Sequence, residues 1–221
     1  MIPQADIDWL LTHLDDIAFR TVQHLYLTTI AVAVGFVISF GLAIVAVRRR
    51  NSAPIIQGAS DLLYTIPSLA LFGTLITITG ISLLTVQIPL VLYTLTILVR
   101  NIVIGLRDVP PDALEAANGL GFTGRQRLWR VEVPLAVPLI VAGVRLAAVS
   151  TIGLVTVTAI MGDSYGGLGF FILEGYRRSF PLELYVGAIP SILLAFVVDA
   201  LLLRVQRRAT PWSVASEPTP A

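Results

Sequence analysis

The chain contains no cysteine and no lysine. The first absence removes disulfides, thiolate metal sites and cysteine nucleophiles together. The second removes the phosphate-binding lysine that a P-loop requires, so any ATP that drives this protein is hydrolysed by another chain. Histidine is nearly absent as well. His13 and His24 are the only two, and neither has neighbours at metal-ligand spacing, so no metal or cofactor is expected on this chain. Charge is scarce: charged residues make up 13% of the chain, whereas soluble domains carry about a quarter. The net charge of +1 is too near neutral for a nucleic-acid partner. The first twenty residues place Asp6, Asp8, Asp15 and Asp16 ahead of Arg20. A secretory signal opens on basic residues, so none is expected.

What remains is apolar. Hydrophobic residues are 56% of the 221, with a mean hydropathy of +0.84. A soluble fold of this length cannot hide so much apolar surface, and a lipid bilayer is the natural solvent. Ile7, Leu10, Leu11, Leu14, Ile17 and Ala18 recur at helical spacing, which predicts a short amphipathic lead-in over residues 1–20. Residues 21–47 carry no acid and no arginine and form the first predicted span. Residues 62–99 carry no charge at all. As one helix they would run roughly 57 Å at 1.5 Å per residue, against a hydrocarbon core about 30 Å thick, so two spans are required. The break falls at Thr79-Gly80-Ile81-Ser82, giving a second span near 55–79 and a third near 83–106. Pro67 and Pro89 fall inside these spans, where membrane helices tolerate proline. A fourth span covers 134–160, interrupted by Arg145, and a fifth covers 184–203, holding Asp199. The Pro/Ser/Thr-rich end, residues 207–221, reads as a disordered tail.

Arginine placement sets the expected orientation. With the N-terminus outside, five spans put Arg48, Arg49, Arg50, Arg107, Arg125, Arg127, Arg130, Arg204, Arg207 and Arg208 on the cytoplasmic side, and Arg20, Arg177 and Arg178 outside. The C-terminus and the polar loop at 107–134 are then cytoplasmic. That loop has its own pattern. Pro111 suits the first helical turn and Asp112 the positive end of the helix dipole. Ala113 to Ala117 favour helix, and Gly121 can supply a left-handed turn. A short helix exposed below a bundle has no structural task there and reads as a docking element.

The same loop carries a resemblance. Glu115-Ala116-Ala117, Gly121 and Val131-Glu132-Val133-Pro134 match, spacing for spacing, the "EAA" loop of binding-protein-dependent ABC importer permeases, with valines where isoleucine and leucine are commoner. The resemblance implies an all-α polytopic bundle of MetI-like fold. In such permeases the loop forms a coupling helix seated in a groove of a separate ATPase subunit. Glu115 is then the polar anchor, and Ala116 and Ala117 allow close backbone approach. It further implies an extracellular or periplasmic substrate-binding protein, a second permease copy or paralogue, a bacterial cell-membrane location, and no enzymatic activity in this chain. His24-Leu25, Thr65-Ile-Pro-Ser-Leu-Ala-Leu71, Gly143-Val-Arg145, Gly166-Gly-Leu-Gly169 and Asp199 resemble the branch that imports glycine betaine, choline, carnitine or proline. This likeness extends over residues 21–206. A permease for another small solute, such as an amino acid, shares the fold and is the alternative. A membrane enzyme would need a cluster of acids, histidines or cysteines in the spans. A passive channel would need no coupling loop.

The candidate path residues are Tyr64, Pro67, Ser68, Tyr93 and Asp199. Tyr64, Tyr93 and Tyr165 can give cation–π contacts to a quaternary amine or simply sit at the membrane interface. Asp199 is open to two readings, an ion pair with Arg204 or a gate. Arg145 is expected to snorkel to the cytoplasmic surface. Gly166-Gly-Leu-Gly169 lacks the spacing of a dinucleotide fingerprint; tight packing and contact with the binding protein are its two readings.

Overall fold

The computed structural model describes residues 4–49 and 52–210. Among them every regular element is helical. Arg50, and the tail from residue 211 onward, lie outside the described residues.

The amphipathic lead-in is divided differently from expectation. Helix α1 is Gln4–Thr12, the chain breaks at His13, and α2 runs unbroken from Leu14 to Arg48. Nothing between Leu14 and Arg48 breaks a helix, Asp15 and Asp16 suit its positive end, and Arg48 closes the negative end. The first span therefore absorbs the second half of the lead-in.

The second span is not straight. α3 (Ser52–Thr65) and α4 (Ser68–Thr79) meet at an angle of 87°. Pro67 disfavours helical geometry at Ile66 and itself takes the extended backbone of an N-cap (φ −60°, ψ 129°). The carbonyl of Ile66 accepts a hydrogen bond from the Tyr93 hydroxyl, so a neighbouring helix holds the break open. Pro89, by contrast, stays inside α5 (Leu83–Arg107). Ser82 caps α5 by accepting from the Thr85 backbone at 3.3 Å, just after Gly80 turns the chain with φ +65°.

The fourth span begins earlier than its apolar run. Helical structure starts at α7 (Gly124–Arg127), passes through a π-helical turn (Leu128–Glu132) into α8 (Val133–Val155), and tightens into a 3-10 turn at Thr156–Met161. Pro134 explains the π turn. A proline ring crowds the carbonyl four residues back, and widening the preceding turn relieves that clash. α9 (Gly169–Arg177) and α10 (Pro181–Ala209) complete the chain. α10 keeps Arg207 and Arg208 in its last turn, where they complement the dipole, so residues 207–209 belong to the helix and not to the predicted tail.

Among the described residues four helical segments are thus long and apolar enough to cross a membrane, and the bent α3–α4 pair is a fifth if it counts as one span. α5 is the centre, with α2 and α8 against its flanks and α3 and α4 beside it. One core cluster, including Ala43, Leu98, Ile102, Leu106 and Ala136, lies towards the end that carries the 107–134 loop. A second, with Leu27, Phe72, Leu90 and Val155, lies towards the opposite end. Small residues allow the helices to approach. A Cβ on Gly35 would stand 1.9 Å from the Thr94 hydroxyl oxygen, and one on Gly143 would stand 2.6 Å from Asn101 Cβ.

At that opposite end the Gly166–Gly169 segment is buried. A Cβ on Gly169 would meet the Thr156 carbonyl oxygen at 2.2 Å. His24 Nδ1 accepts from the Leu168 backbone at 3.3 Å and its Nε2 donates to the Ile152 carbonyl at 2.9 Å, a pattern that assigns the proton to Nε2. Gln23 bonds the backbones of Ser164 and Gly167. Arg20 reaches Asp163 at 3.4 Å and stacks 3.5 Å over the Phe170 ring. The glycines serve tight packing of this turn on α2, and burial removes them as a docking face.

Candidate functional site

The loop between α5 and α8 is a braced structure. Its helix α6 is Pro111–Gly119, with Pro111 in the first turn and Asp112 at the positive end. Gly121 follows at φ +74°. Its backbone N–H bonds the Asn118 carbonyl and that of Phe122 bonds the Ala117 carbonyl. Together these form the left-handed helix stop for which glycine is suited. Thr123 then opens α7 with a capping box: its hydroxyl accepts from the Gln126 backbone at 3.3 Å and its N–H donates to the Gln126 side chain at 2.8 Å. That cap explains why the basic segment is helical and not irregular.

Three contacts brace this unit, within itself and against the bundle. Arg127 donates to Glu132 at 2.8 Å and to Asn118 at 2.9 Å. Arg48, at the end of α2, donates to the Gly124 carbonyl at 2.6 Å. Ala117 and Val109 are buried at the join. Arg127 therefore serves the loop itself, while Arg125 and Arg130 stay exposed. Glu132 is the least expected member. It occupies the variable position of the motif, yet it is buried and paired. The motif spacing carries no sign of it.

With Ala117 turned inward, Asp112, Glu115, Ala116 and Gly119 are all exposed. Their spacing of three, four and seven puts them on one face of α6. It is a shallow face with two carboxylates and two small residues, left exposed among the described residues. Pro134 sits apart from it, at the π turn where α8 starts.

The candidate path residues fall into two groups. Tyr64, Pro67, Ser68 and Tyr93 line one cavity of about 300 Å³ at the α3–α4 bend, with Ser150 and Thr151 of α8 across from them. The two tyrosine rings meet edge to face, with centroids 5.5 Å apart and planes at 74°. No residue lining this cavity carries a formal charge. The cavity sits at the 87° bend, with Pro67 in its lining.

Asp199 is not part of this group. It makes a two-pronged ion pair with Arg145, at 3.0 and 2.9 Å, and the expected partner Arg204 plays no part. Five residues along a helix is a turn of about 140°, so Arg204 points away from Asp199. Arg145 and Asp199 lie at matching depths on antiparallel α8 and α10. Gln206 joins them, accepting from Arg145 and donating to the Pro138 carbonyl, both at 3.1 Å. Arg145 thus pairs within the bundle, with its guanidinium also reaching Gln206 near the loop end of α10. The signal was in the sequence: Arg145 and Asp199 are the lone charges in the apolar runs of the fourth and fifth spans. Among the described residues no group of histidine, cysteine or acids could hold a metal ion.

Comparison with known proteins agrees with this architecture. A family model described as "Binding-protein-dependent transport system inner membrane component" matches residues 31–211. The chain is 40% identical to the osmoprotectant import permease protein OsmW of Salmonella typhimurium strain LT2, over 93% of this chain and 97% of that protein. It is 32% identical to the glycine betaine/carnitine/choline transport system permease protein OpuCB of Bacillus subtilis strain 168, over 92% and 93% respectively. Its fold is similar to that of a chain of the MetNI methionine ABC transporter in an inward-facing form, with TM-score 0.77 and 18% identity, covering 95% of this chain and all of that one. The matched segment takes in the second half of α2, every later helix and the whole braced loop, and the chain belongs to the family of inner-membrane components of binding-protein-dependent transport systems.

Proposed function

We propose that this chain is the membrane permease subunit of an ATP-driven importer for an osmoprotectant, either a quaternary amine such as glycine betaine, choline or carnitine, or the amino acid proline. The observation that carries the coupling role is the exposed face of α6. Asp112, Glu115, Ala116 and Gly119 are displayed on a helix that the Arg127–Glu132–Asn118 brace holds rigidly to α8. A push on that face is transmitted to a span and not lost in a loop. The occupant of this face is a separate ATPase subunit, which binds and hydrolyses the ATP. Closure of two such subunits drives the spans between inward-open and outward-open states. A second permease copy or paralogue completes the path, because one chain of this size encloses little of it. A binding protein delivers solute at the opposite end. The arginine-rich loop end is cytoplasmic, with the N-terminus outside.

Substrate class rests on the relatives' names together with the neutral, tyrosine-lined cavity at Pro67, which suits a methylated ammonium that can neither donate nor accept hydrogen bonds. A methionine-like amino-acid substrate is the second reading, favoured by the fold shared with the methionine transporter chain.

The test is ATP-dependent uptake of labelled glycine betaine, choline and proline into vesicles holding the assembled transporter. Uptake that requires ATP and is inhibited by other quaternary amines supports the reading. ATP hydrolysis without uptake of any of the three moves the substrate to amino acids. Glu115→Ala and Gly121→Pro should each abolish uptake while the folded chain remains in the membrane, since proline cannot take the φ of +74° at Gly121. Normal uptake by both variants would sink the assignment of α6.

A further inference from the structure

Asp61 on α3 and Arg100 on α5 are charged, exposed and inside apolar helices. At about 1.5 Å per residue they lie roughly 14 and 10 Å from the loop end of their helices. Both line one cavity of about 450 Å³, with Gln57, Ser60, Thr96 and Arg107 around them. Among the described residues neither makes a hydrogen bond or an ion pair, and their charged atoms stand more than 4.0 Å apart. An ionised side chain at such depth does not face lipid; it faces protein or a water-filled cavity. Arg100 is long enough to snorkel to the surface, but Asp61 is not, and the two share a single cavity.

That cavity and the tyrosine cavity are lined from the same two helices, α3 and α5. Tyr64 is three residues beyond Asp61 on α3, and Tyr93 is seven residues before Arg100 on α5, so each pair shares a helix face. Between the two cavities the Thr96 hydroxyl donates to the Ser60 carbonyl at 2.5 Å, tying α3 to α5. A solute moving along this seam leaves a neutral aromatic site and meets an acid and a guanidinium held too far apart to satisfy each other. This arrangement complements a molecule with a cationic and an anionic end. A guanidinium fork takes a carboxylate through two parallel hydrogen bonds, whereas a quaternary ammonium offers only its charge, to Asp61 and the tyrosine faces.

We propose that Asp61 and Arg100 form an intramembrane site for a zwitterionic solute, Arg100 taking the carboxylate and Asp61 the ammonium end. The site rests on the permease reading above, and it makes Arg100 a selector for zwitterions over the carboxylate-free cation choline.

The experiment measures maximal uptake rates with the binding protein saturated, in vesicles of the complete transporter, and reads the ratio of glycine betaine to choline. Loss of folded protein cancels in that ratio. Arg100→Gln should lower it about tenfold or more, the size expected for losing a charge-assisted hydrogen bond, and Arg100→Lys should restore part of it. Asp61→Asn should raise the ratio by depressing choline uptake more. An unchanged ratio in Arg100→Gln overturns the proposal. So does rescue of both solutes by the charge-exchanged Asp61→Arg/Arg100→Asp variant, because that result makes the two residues a brace between permease chains. If the unaltered transporter carries amino acids instead, only the substrate reading fails. The same ratio is then read for that amino acid against its carboxylate-blocked amide, with the same outcomes decisive.

Discussion

Arg145 and Asp199 would each be costly alone at their depth, and their bidentate contact at 2.9–3.0 Å is what makes them tolerable. A fully buried pair loses about 3–5 kcal/mol when one partner is removed, and exposed pairs contribute less than about 1 kcal/mol. This pair is part-buried, with side-chain exposures of 23% and 37%, so Asp199→Ala or Arg145→Ala should each cost on the order of 2 kcal/mol. Removing both with Arg145→Leu/Asp199→Leu should cost less than the sum of the single losses, since no unpaired charge is left behind. Thermal melting of the purified protein in detergent measures all three. Simple additivity would mean that the contact contributes nothing. The pairing was legible in principle from two lone charges, but only the antiparallel register of α8 and α10 shows that they meet.

At the scale of elements, each departure from expectation has a specific physical cause. Pro67 and Pro89 are both prolines in apolar stretches, yet only Pro67 breaks its helix. The difference is the neighbour: Tyr93 supplies a hydroxyl to the Ile66 carbonyl at the break, and sequence cannot show a contact 27 residues away. Tyr93→Phe should therefore leave that carbonyl unsatisfied, at a cost of about 1–3 kcal/mol, and loosen the bend. Hydrogen exchange of the amides around Ile66 to Leu71 should accelerate while those of α8 stay unchanged. An unaltered exchange pattern would show that Pro67 alone maintains the bend. The braced loop gives the converse lesson. Pro111, Asp112, Gly121 and the Thr123 capping signal could be read directly, because helix starts and stops depend on nearby backbone groups. The Arg127–Glu132–Asn118 brace could not.

For the whole molecule, the testable statement is orientation. The alternation of helices brings Arg48, Arg107, Arg125, Arg127, Arg130, Arg204, Arg207 and Arg208 to the loop end of the bundle, and Arg20, Arg177 and Arg178 to the other. The absence of cysteine makes the native chain a clean background for labelling. Arg125→Cys and Ser164→Cys place single thiols on exposed residues at opposite ends. In intact cells a membrane-impermeant maleimide should label the Ser164 variant from outside, and the Arg125 variant only after the membrane is opened. The reverse pattern would invert the topology.

The sequence by itself determined the solvent, the number of apolar stretches, the exposed loop helix and its family likeness, because hydropathy, charge and glycine or proline spacing act within a turn or two of chain. Only the tertiary structure decided where the second span bends, which charges pair and which stand apart in a shared cavity. Those outcomes depend on which helices lie side by side and at what depth, a relation between residues 27 to 54 positions apart that no local pattern encodes. Asp61 and Arg100 are the sharpest case: in sequence they only bound an uncharged run, and in the fold they line one cavity.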